Sequence, residues 1–206
     1  MFNLKTLKSV LVVSLLTAGS LSVAAAGTAQ AATKQTLVPL SPAEAKTLVF
    51  MREEEKLARD VYLTSDSEWG MTVFSNIAAS EQAHMDSIAR LLTRYHLKDP
   101  ITDSAVGVFT NNELRVTYYE LITRGDLSVM EALRVGGFIE ELDIKDLSLA
   151  IAQSRHPDVI RVYENLMSGS RNHLRAFVKA LRQRGGTYTA QVLTQSEVDA
   201  ILASTR

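Results

Sequence analysis

The stretch that decides the fold is FSNIAASEQAHMDSIARLLTRY, residues 74–95. Its apolar side chains recur at alternating spacings of three and four residues, which predicts an amphipathic helix that packs into a bundle. Glu81 and His84 interrupt the middle of this apolar stripe. A carboxylate buried in a core is costly unless it is paired or binds a metal ion, so this pair requires a partner. The stripe consists of Phe74, Ile77, Glu81, His84, Ile88, Leu91 and Tyr95.

Three further predicted helices carry a polar interruption in the middle of an apolar stripe. Glu55 interrupts the first helix, Glu140 the third, and Ser170 with His173 the fourth. A metal centre in the bundle is the simplest partner that these carboxylates and imidazoles could share. Carboxylate oxygen with one histidine for each metal favours iron or manganese over zinc. The alternative is a buried salt-bridge network without metal.

Capping signals divide the chain into an all-α arrangement. Capping boxes at residues 41–44 and 110–113, and glycines after the predicted helix ends, mark the boundaries. Four long helices, with one short helix inside the middle crossover, predict a four-helix bundle with a long connection. The predicted helices cover residues 41–65, 71–95, 110–123, 128–153 and 157–184; the bundle occupies residues 41–185, and residues 186–206 form a C-terminal tail with one further helical turn.

Composition excludes several classes of protein. The chain has 206 residues, of which 46% are hydrophobic, and a formal net charge of -1, which excludes disorder throughout. The absence of cysteine excludes disulfides, thiolate metal sites and a cysteine nucleophile. Without a basic excess, nothing indicates a nucleic acid as a partner.

Residues 1–31 have the pattern of a secretory signal peptide. Lys5 and Lys8 precede an apolar stretch, and residues 29–31 (AQA) form a suitable cleavage site. A membrane anchor is the alternative, but polar residues and glycine interrupt the stretch too often for a span. We therefore expect a secreted or cell-envelope protein, in the periplasm or at the cell surface. After cleavage, the mature chain would begin with a leader at residues 32–40. It would have no stable membrane span.

Two motifs resemble those of a known superfamily. Residues 55–62, EKLARDVY, are similar to the first-helix pattern Glu-x-x-Ala-Arg-Asn-x-Tyr of rubrerythrins, and Glu81-x-x-His84 matches the second-helix ligand pair. Over residues 42–185 the sequence resembles the ferritin-like superfamily, which includes bacterioferritin, rubrerythrin and the di-iron oxygenases. It most resembles an uncharacterised ferritin-like domain family of bacteria and archaea, through residues 51–60, 140–143 and 170–173.

The resemblance implies a ferritin-like four-helix bundle with two divalent metal ions. The superfamily normally supplies a second Glu-x-x-His from the last helix, whereas this chain has Ser170-x-x-His173, so one carboxylate is missing. Asp143, one turn after Glu140, could replace it. Without Asp143, a single metal ion or a weaker second site is the alternative. The candidate metal ligands are Glu55, Glu81, His84, Glu140, Asp143 and His173.

Glu141 is the alternative to Glu140 as the third-helix ligand. Periodicity favours Glu140, because Glu141 shares a helix face with Arg134 and Lys145. Alignment on Glu-Leu-Asp, as in bacterioferritin, favours Glu141.

Some neighbours of the candidate ligands receive other expectations. Tyr62 and Ser170 are candidates for contacts with the ligands, although a tyrosine on a core stripe, such as Tyr62, is more often a packing residue. Glu53 and Glu54 are expected on a solvated face, together with Arg52 and Lys56.

These observations leave three candidate functions. The first is a non-haem di-iron or di-manganese oxidoreductase that reacts with oxygen or peroxide outside the cytoplasm. The second is metal binding and sequestration without turnover, which the serine at position 170 favours. The third is a structural envelope bundle with a partial site. The expected partners are a small oxidant or a metal ion, with a homodimer as a further possibility.

Overall fold

The computed structural model describes residues 37–204, so the predicted signal peptide lies outside the described residues. Within residues 37–204 the fold is all-helical, with six helices and no strand, which confirms the predicted class. None of these helices is long and apolar enough to cross a membrane. The helices are α1 (Pro42–Trp69), α2 (Thr72–Arg94), α3 (Asn112–Gly125), α4 (Val129–Gln153), α5 (Pro157–Gln183) and α6 (Gln195–Ala203).

Local capping residues determine where the helices begin and end. At the start of α1, the predicted capping box is confirmed, because the Glu44 N–H donates to Ser41 Oγ and the Ser41 N–H donates to the Glu44 carboxylate. Helix α1 ends beyond its predicted limit, where Gly70 adopts a left-handed φ of 60°. The capping box predicted at Thr110 is wrong, since Asn111 caps α3 instead.

The four long helices form two packed pairs. Helix α1 packs along α2, and α4 packs along α5. The pairs meet through contacts of α1 with α4 and of α2 with α5. Helix α3 lies in the crossover between α2 and α4 and packs against α1 and α4, while α6 packs against α5. The bundle with a long, helix-bearing crossover is therefore as predicted, and α6 is longer than the single turn expected in the tail.

Two apolar clusters fill the bundle at different levels along its length. On α1 the first cluster ends at Met51 and the second begins at Leu57. On α2 the order is reversed, so the second cluster ends at Ala78 and the first begins at Ile88. Helices α4 and α5 show the same interval. Charged residues occupy the interval on all four helices, and we call those that interact with one another across the helices the polar layer. They are Glu54, Glu55, Glu81, His84, Glu140, Asp143, Asp146 and His173.

The face of α1 that was predicted to be solvated is buried. Arg52, Glu53, Glu54 and Lys56 are all less than one-tenth exposed, so that expectation is wrong. Helical periodicity could not indicate that the crossover segment covers Arg52, Glu53 and Lys56. Nor could it indicate that Glu54 lies beside Asp146 of α4.

Charged side chains of α1 hold the crossover segment by hydrogen bonds and ion pairs, mostly to its backbone. Because such contacts satisfy buried charges and buried amides together, they position the crossover along the bundle. The contacts join Arg52 to Asp99 (3.0 Å), Lys56 Nζ to the Ala105 carbonyl (2.8 Å), the Thr110 N–H to Glu53 (2.6 Å) and the Gly107 N–H to Asp60 (2.9 Å).

Candidate metal centre

Side chains from all four long helices converge in the polar layer. Two groups of three residues present nitrogen or oxygen atoms that lie within 4.8 Å of one another. One group comprises Glu55, Glu81 and His84, and the other comprises Glu81, Glu140 and His173. Glu81 belongs to both groups, so the two potential metal positions share a carboxylate.

The Glu81 carboxylate lies between two imidazoles. Its Oε2 is 2.7 Å from His84 Nδ1, and its Oε1 is 2.8 Å from His173 Nδ1. Each Nδ1 also faces a second carboxylate. Glu55 Oε2 is 3.1 Å from His84 Nδ1, and Glu140 Oε2 is 3.4 Å from His173 Nδ1. Each half of the site therefore offers one imidazole nitrogen and two carboxylates to a cation.

Several of these atoms lack a directed hydrogen bond. His173 Nδ1 lies 2.8 Å from Glu81 Oε1 but makes no well-directed hydrogen bond to it. Glu55 Oε1 and Asp143 Oδ1 are likewise buried without a partner. Unsatisfied buried polar atoms are costly, and a cation between them would satisfy them. The residues present thus fit a metal centre.

The remaining ring nitrogens of the two histidines face different surroundings. The Ser80 hydroxyl lies 2.9 Å from His173 Nε2 and orients that ring. The His84 ring lies against Gly169 of α5, where a Cβ would be only 2.6 Å from His84 Nε2. His84 is also the most exposed of the five residues in the two groups, with 12% of its side chain accessible.

Tyr62 touches the layer. Its hydroxyl donates to Glu140 Oε1 at 2.6 Å. Burial raises the pKa of Tyr62 well above its usual value, and the negative charge of Glu140 raises it further. Tyr62 is therefore a neutral hydrogen-bond donor that orients a candidate ligand.

Asp143 and Ser170 form a hydrogen-bonded pair beside the two groups. The Ser170 hydroxyl donates to Asp143 Oδ2. Asp143 is buried in the layer but belongs to neither group of three, and its role as a ligand stays a prediction.

The structure separates Glu140 from Glu141. The Glu140 carboxylate lies in the polar layer, whereas Glu141 faces the C-terminal segment and accepts hydrogen bonds from the N–H groups of residues 191–193 and from the Tyr188 hydroxyl. Periodicity therefore identified the residue that faces the layer. Glu141 is also fully buried, because the C-terminal segment covers it.

Glu54 and Asp146 belong to the layer and were missed. Each is 5% exposed. Burial raises the pKa of Glu54 well above its usual value, and the nearby charges of Asp146 and Asp143 raise it further. The spacing of Asp146, three residues and nearly one helical turn after Asp143, is a sequence signal that could have identified it.

Ionisation in the layer is strongly perturbed. Burial raises the pKa of Glu140 to about 8, and the charge of Glu81 adds to this effect. Burial opposes the charged form of His84, but hydrogen bonds and charges from Glu55 and Glu81 outweigh it and raise its pKa to about 11. For His173, Glu140 and Glu81 likewise outweigh burial and raise the pKa to about 10. The layer thus holds protons that a divalent cation would displace.

In metal-free protein, replacing Glu140 or its neighbour Glu141 by glutamine should change the stability in opposite directions. Glu140→Gln should raise the free energy of unfolding at pH 7 by roughly 1–3 kcal/mol, because an acid whose folded-state pKa is raised destabilises the fold as pH rises. This gain should disappear near pH 4, where the carboxyl is protonated in both states. Urea titrations at both pH values measure the effect.

Glu141→Gln is the matched control and should lower the free energy of unfolding by roughly 1.5–3 kcal/mol, because it weakens charge-assisted bonds to buried donors. Changes of the same sign in both variants at pH 7 would contradict the different surroundings assigned to the two acids.

Comparison with known proteins identifies the family of the chain. Residues 44–205 match the family described as "Uncharacterized protein domain (DUF2202)". The uncharacterized protein MJ0754 of Methanocaldococcus jannaschii is 48% identical over 166 residues, which cover 81% of this chain and 90% of that protein. A crystal structure of hypothetical protein MJ0754 from Methanococcus jannaschii DSM 2661 matches with a TM-score of 0.81 at 46% identity, covering 84% of this chain and 99% of that chain. The chain therefore belongs to the DUF2202 domain family.

Proposed function

We propose that this is an exported ferritin-like protein that holds a dinuclear iron or manganese centre and reacts with oxygen or peroxide as a non-haem oxidoreductase. The observation that carries the proposal is the position of Glu81 between His84 and His173. A carboxylate shared by two groups, each with its own imidazole and second carboxylate, suits two adjacent divalent cations.

The donor set supports a redox metal. Glu55, Glu81 and His84 would hold one ion, and Glu81, Glu140 and His173 the other. Hard oxygen donors with one nitrogen for each ion favour iron or manganese, and no thiolate is available. Such ions supply the one-electron chemistry that oxygen and peroxide require.

The surrounding residues would orient the ligands and limit access to them. Ser80 holds the His173 ring, and the Tyr62 hydroxyl fixes one oxygen of Glu140. The apolar clusters on both sides of the layer exclude water from the bundle axis. A small oxidant would approach on the side of His84, which is the most exposed of the five residues in the two groups.

Export is part of the proposal and is supported by residues 1–31. Intact-mass analysis of the protein from its native cells should show a chain that begins at Ala32 and is recovered outside the cytoplasm. A full-length chain recovered from the cytoplasm would contradict export and leave the metal centre untouched.

A second candidate function is metal sequestration without turnover. The observation that favours it is Ser170, which stands where the superfamily pattern has a carboxylate and which also occupies one oxygen of Asp143. A site with fewer available carboxylates would bind metal yet stabilise its oxidised form less.

The metal content of residues 32–206, purified without chelator, tests the proposal. Elemental analysis should find about two iron or manganese ions per chain, and Glu81→Ala/His84→Ala should lose both, because Glu81 contributes to each half of the site. Glu141→Gln is the control and should retain the metal. Equal, metal-free samples of the parent protein and the double variant would overturn the metal centre.

Rapid mixing of the loaded protein with oxygen or peroxide separates the two functions. A change in the metal absorption spectrum with consumption of the oxidant is the expected result. If neither the metal absorption spectrum nor the oxidant concentration changes after mixing, the result would favour sequestration instead.

Gly169→Ala tests the contact between α5 and His84. The added Cβ would collide with the His84 ring, so cobalt(II) should bind roughly 10–100-fold more weakly while helix content is unchanged. Cobalt absorption titrations measure the affinity. The control is Gly125→Ala in α3, where a Cβ would make an ordinary contact of 3.7 Å. Equal cobalt affinity in both variants would contradict a ligand role for His84.

A further inference from the structure

The exposed hydrophobic surface of the bundle is concentrated around α3. Eight large hydrophobic side chains of residues 37–204 are exposed. Two of them, Leu37 and Val38, precede α1, and the other six belong to α3, to the chain segments on either side of it, or to α1 beside it. Helix α1 is adjacent here, because Thr64 Oγ1 and the Tyr118 hydroxyl are 2.8 Å apart. Exposed apolar side chains that cluster on one part of a surface mark a candidate interaction site. The six are Leu63, Val106, Val108, Val116, Tyr119 and Leu127.

Helix α3 has a second stripe on its outer side. Its inner face packs on the bundle through Leu114, Thr117, Tyr118 and Leu121. The outer stripe has the four-three-four spacing of a helix that packs against another helix. It consists of the exposed residues Asn112, Val116, Tyr119 and Thr123.

Charges of opposite sign flank the outer stripe. Arg115 lies on one side of Val116 and Tyr119, and Glu120 lies on the other, five residues later. When two identical helices pack in parallel along this stripe, the residue directly before Val116 on one helix meets the residue five places later on its partner. Arg115 and Glu120 therefore complement a second copy of the same helix twice, once on each side.

We propose that α3 is the contact surface of a homodimer, in which α3 of one chain packs in parallel against α3 of a second copy. Val116 and Tyr119 meet their own counterparts at the two-fold axis, and Arg115 pairs with Glu120 of the second copy on both sides. Such an interface is isologous, since one patch serves both subunits. The proposal is independent of the metal chemistry, because α3 lies outside the polar layer.

Sedimentation equilibrium of the protein and its charge variants tests the proposal. The protein should be dimeric at about 100 µM. Arg115→Glu turns two attractive contacts into two repulsive ones, so the dissociation constant should rise about tenfold or more. Arg115→Glu/Glu120→Arg exchanges the charges and should restore the original dissociation constant.

Arg161→Glu provides the control, because it makes the same substitution at an exposed position of α5. It should leave the dissociation constant unchanged, and circular dichroism should show equal helix content in all variants. A monomer at about 100 µM would overturn the proposal. It would also be overturned by a dimer that Arg115→Glu and Arg161→Glu affect equally, or by an Arg115→Glu defect that Glu120→Arg does not repair.

Discussion

The carboxylate of Glu81 is the contact on which the rest of the polar layer depends. It lies between His84 and His173, and those imidazoles in turn face Glu55 and Glu140, so one chain of contacts joins all four long helices. Burial isolates these groups from water, and their charges must therefore be balanced within the bundle. The two apolar clusters pack on either side of this level. The same requirement applies to the proposed metal ions, whose positive charge would balance these carboxylates.

Adjacent acids in this protein serve different partners. Glu53 accepts hydrogen bonds from backbone N–H groups of the crossover. Glu54 is hydrogen-bonded to Asp146, and Glu55 faces His84. Successive residues of a helix point about 100° apart, so three neighbours can reach three different surroundings only if the helix is covered on several sides. Helix α1 meets this condition, because α2, α4 and the crossover segment all pack around it. The crossover is thus part of what buries the helix that carries Glu55.

The parts of the site that could be predicted were those encoded by periodicity. Glu55, Glu81, His84, Glu140 and His173 each interrupt an apolar stripe, and the structure brings these five side chains together. Other features left no periodic signal. Gly169 makes room for His84 only because α5 approaches α2 closely at that residue.

The burial of Arg52 and Lys56 likewise depends on a segment about 50 residues away in sequence, and the partners of Glu141 come from residues 188–193. Contacts of this kind join residues that are distant in the chain. No local pattern around either partner therefore indicates them.

By itself, the sequence determined the all-helical bundle, its long crossover and the residues that interrupt its core, because helix caps and the spacing of apolar side chains are local properties of the chain. Only the tertiary structure decided that Glu81 is shared between two imidazoles, that Glu141 holds the C-terminal segment, and that Glu54 and Asp146 join the cluster. The reason is that the periodic spacing of apolar residues shows only which way a side chain points from the axis of its own helix. Which atoms it meets depends on how far apart, and at what level, the neighbouring helices pack.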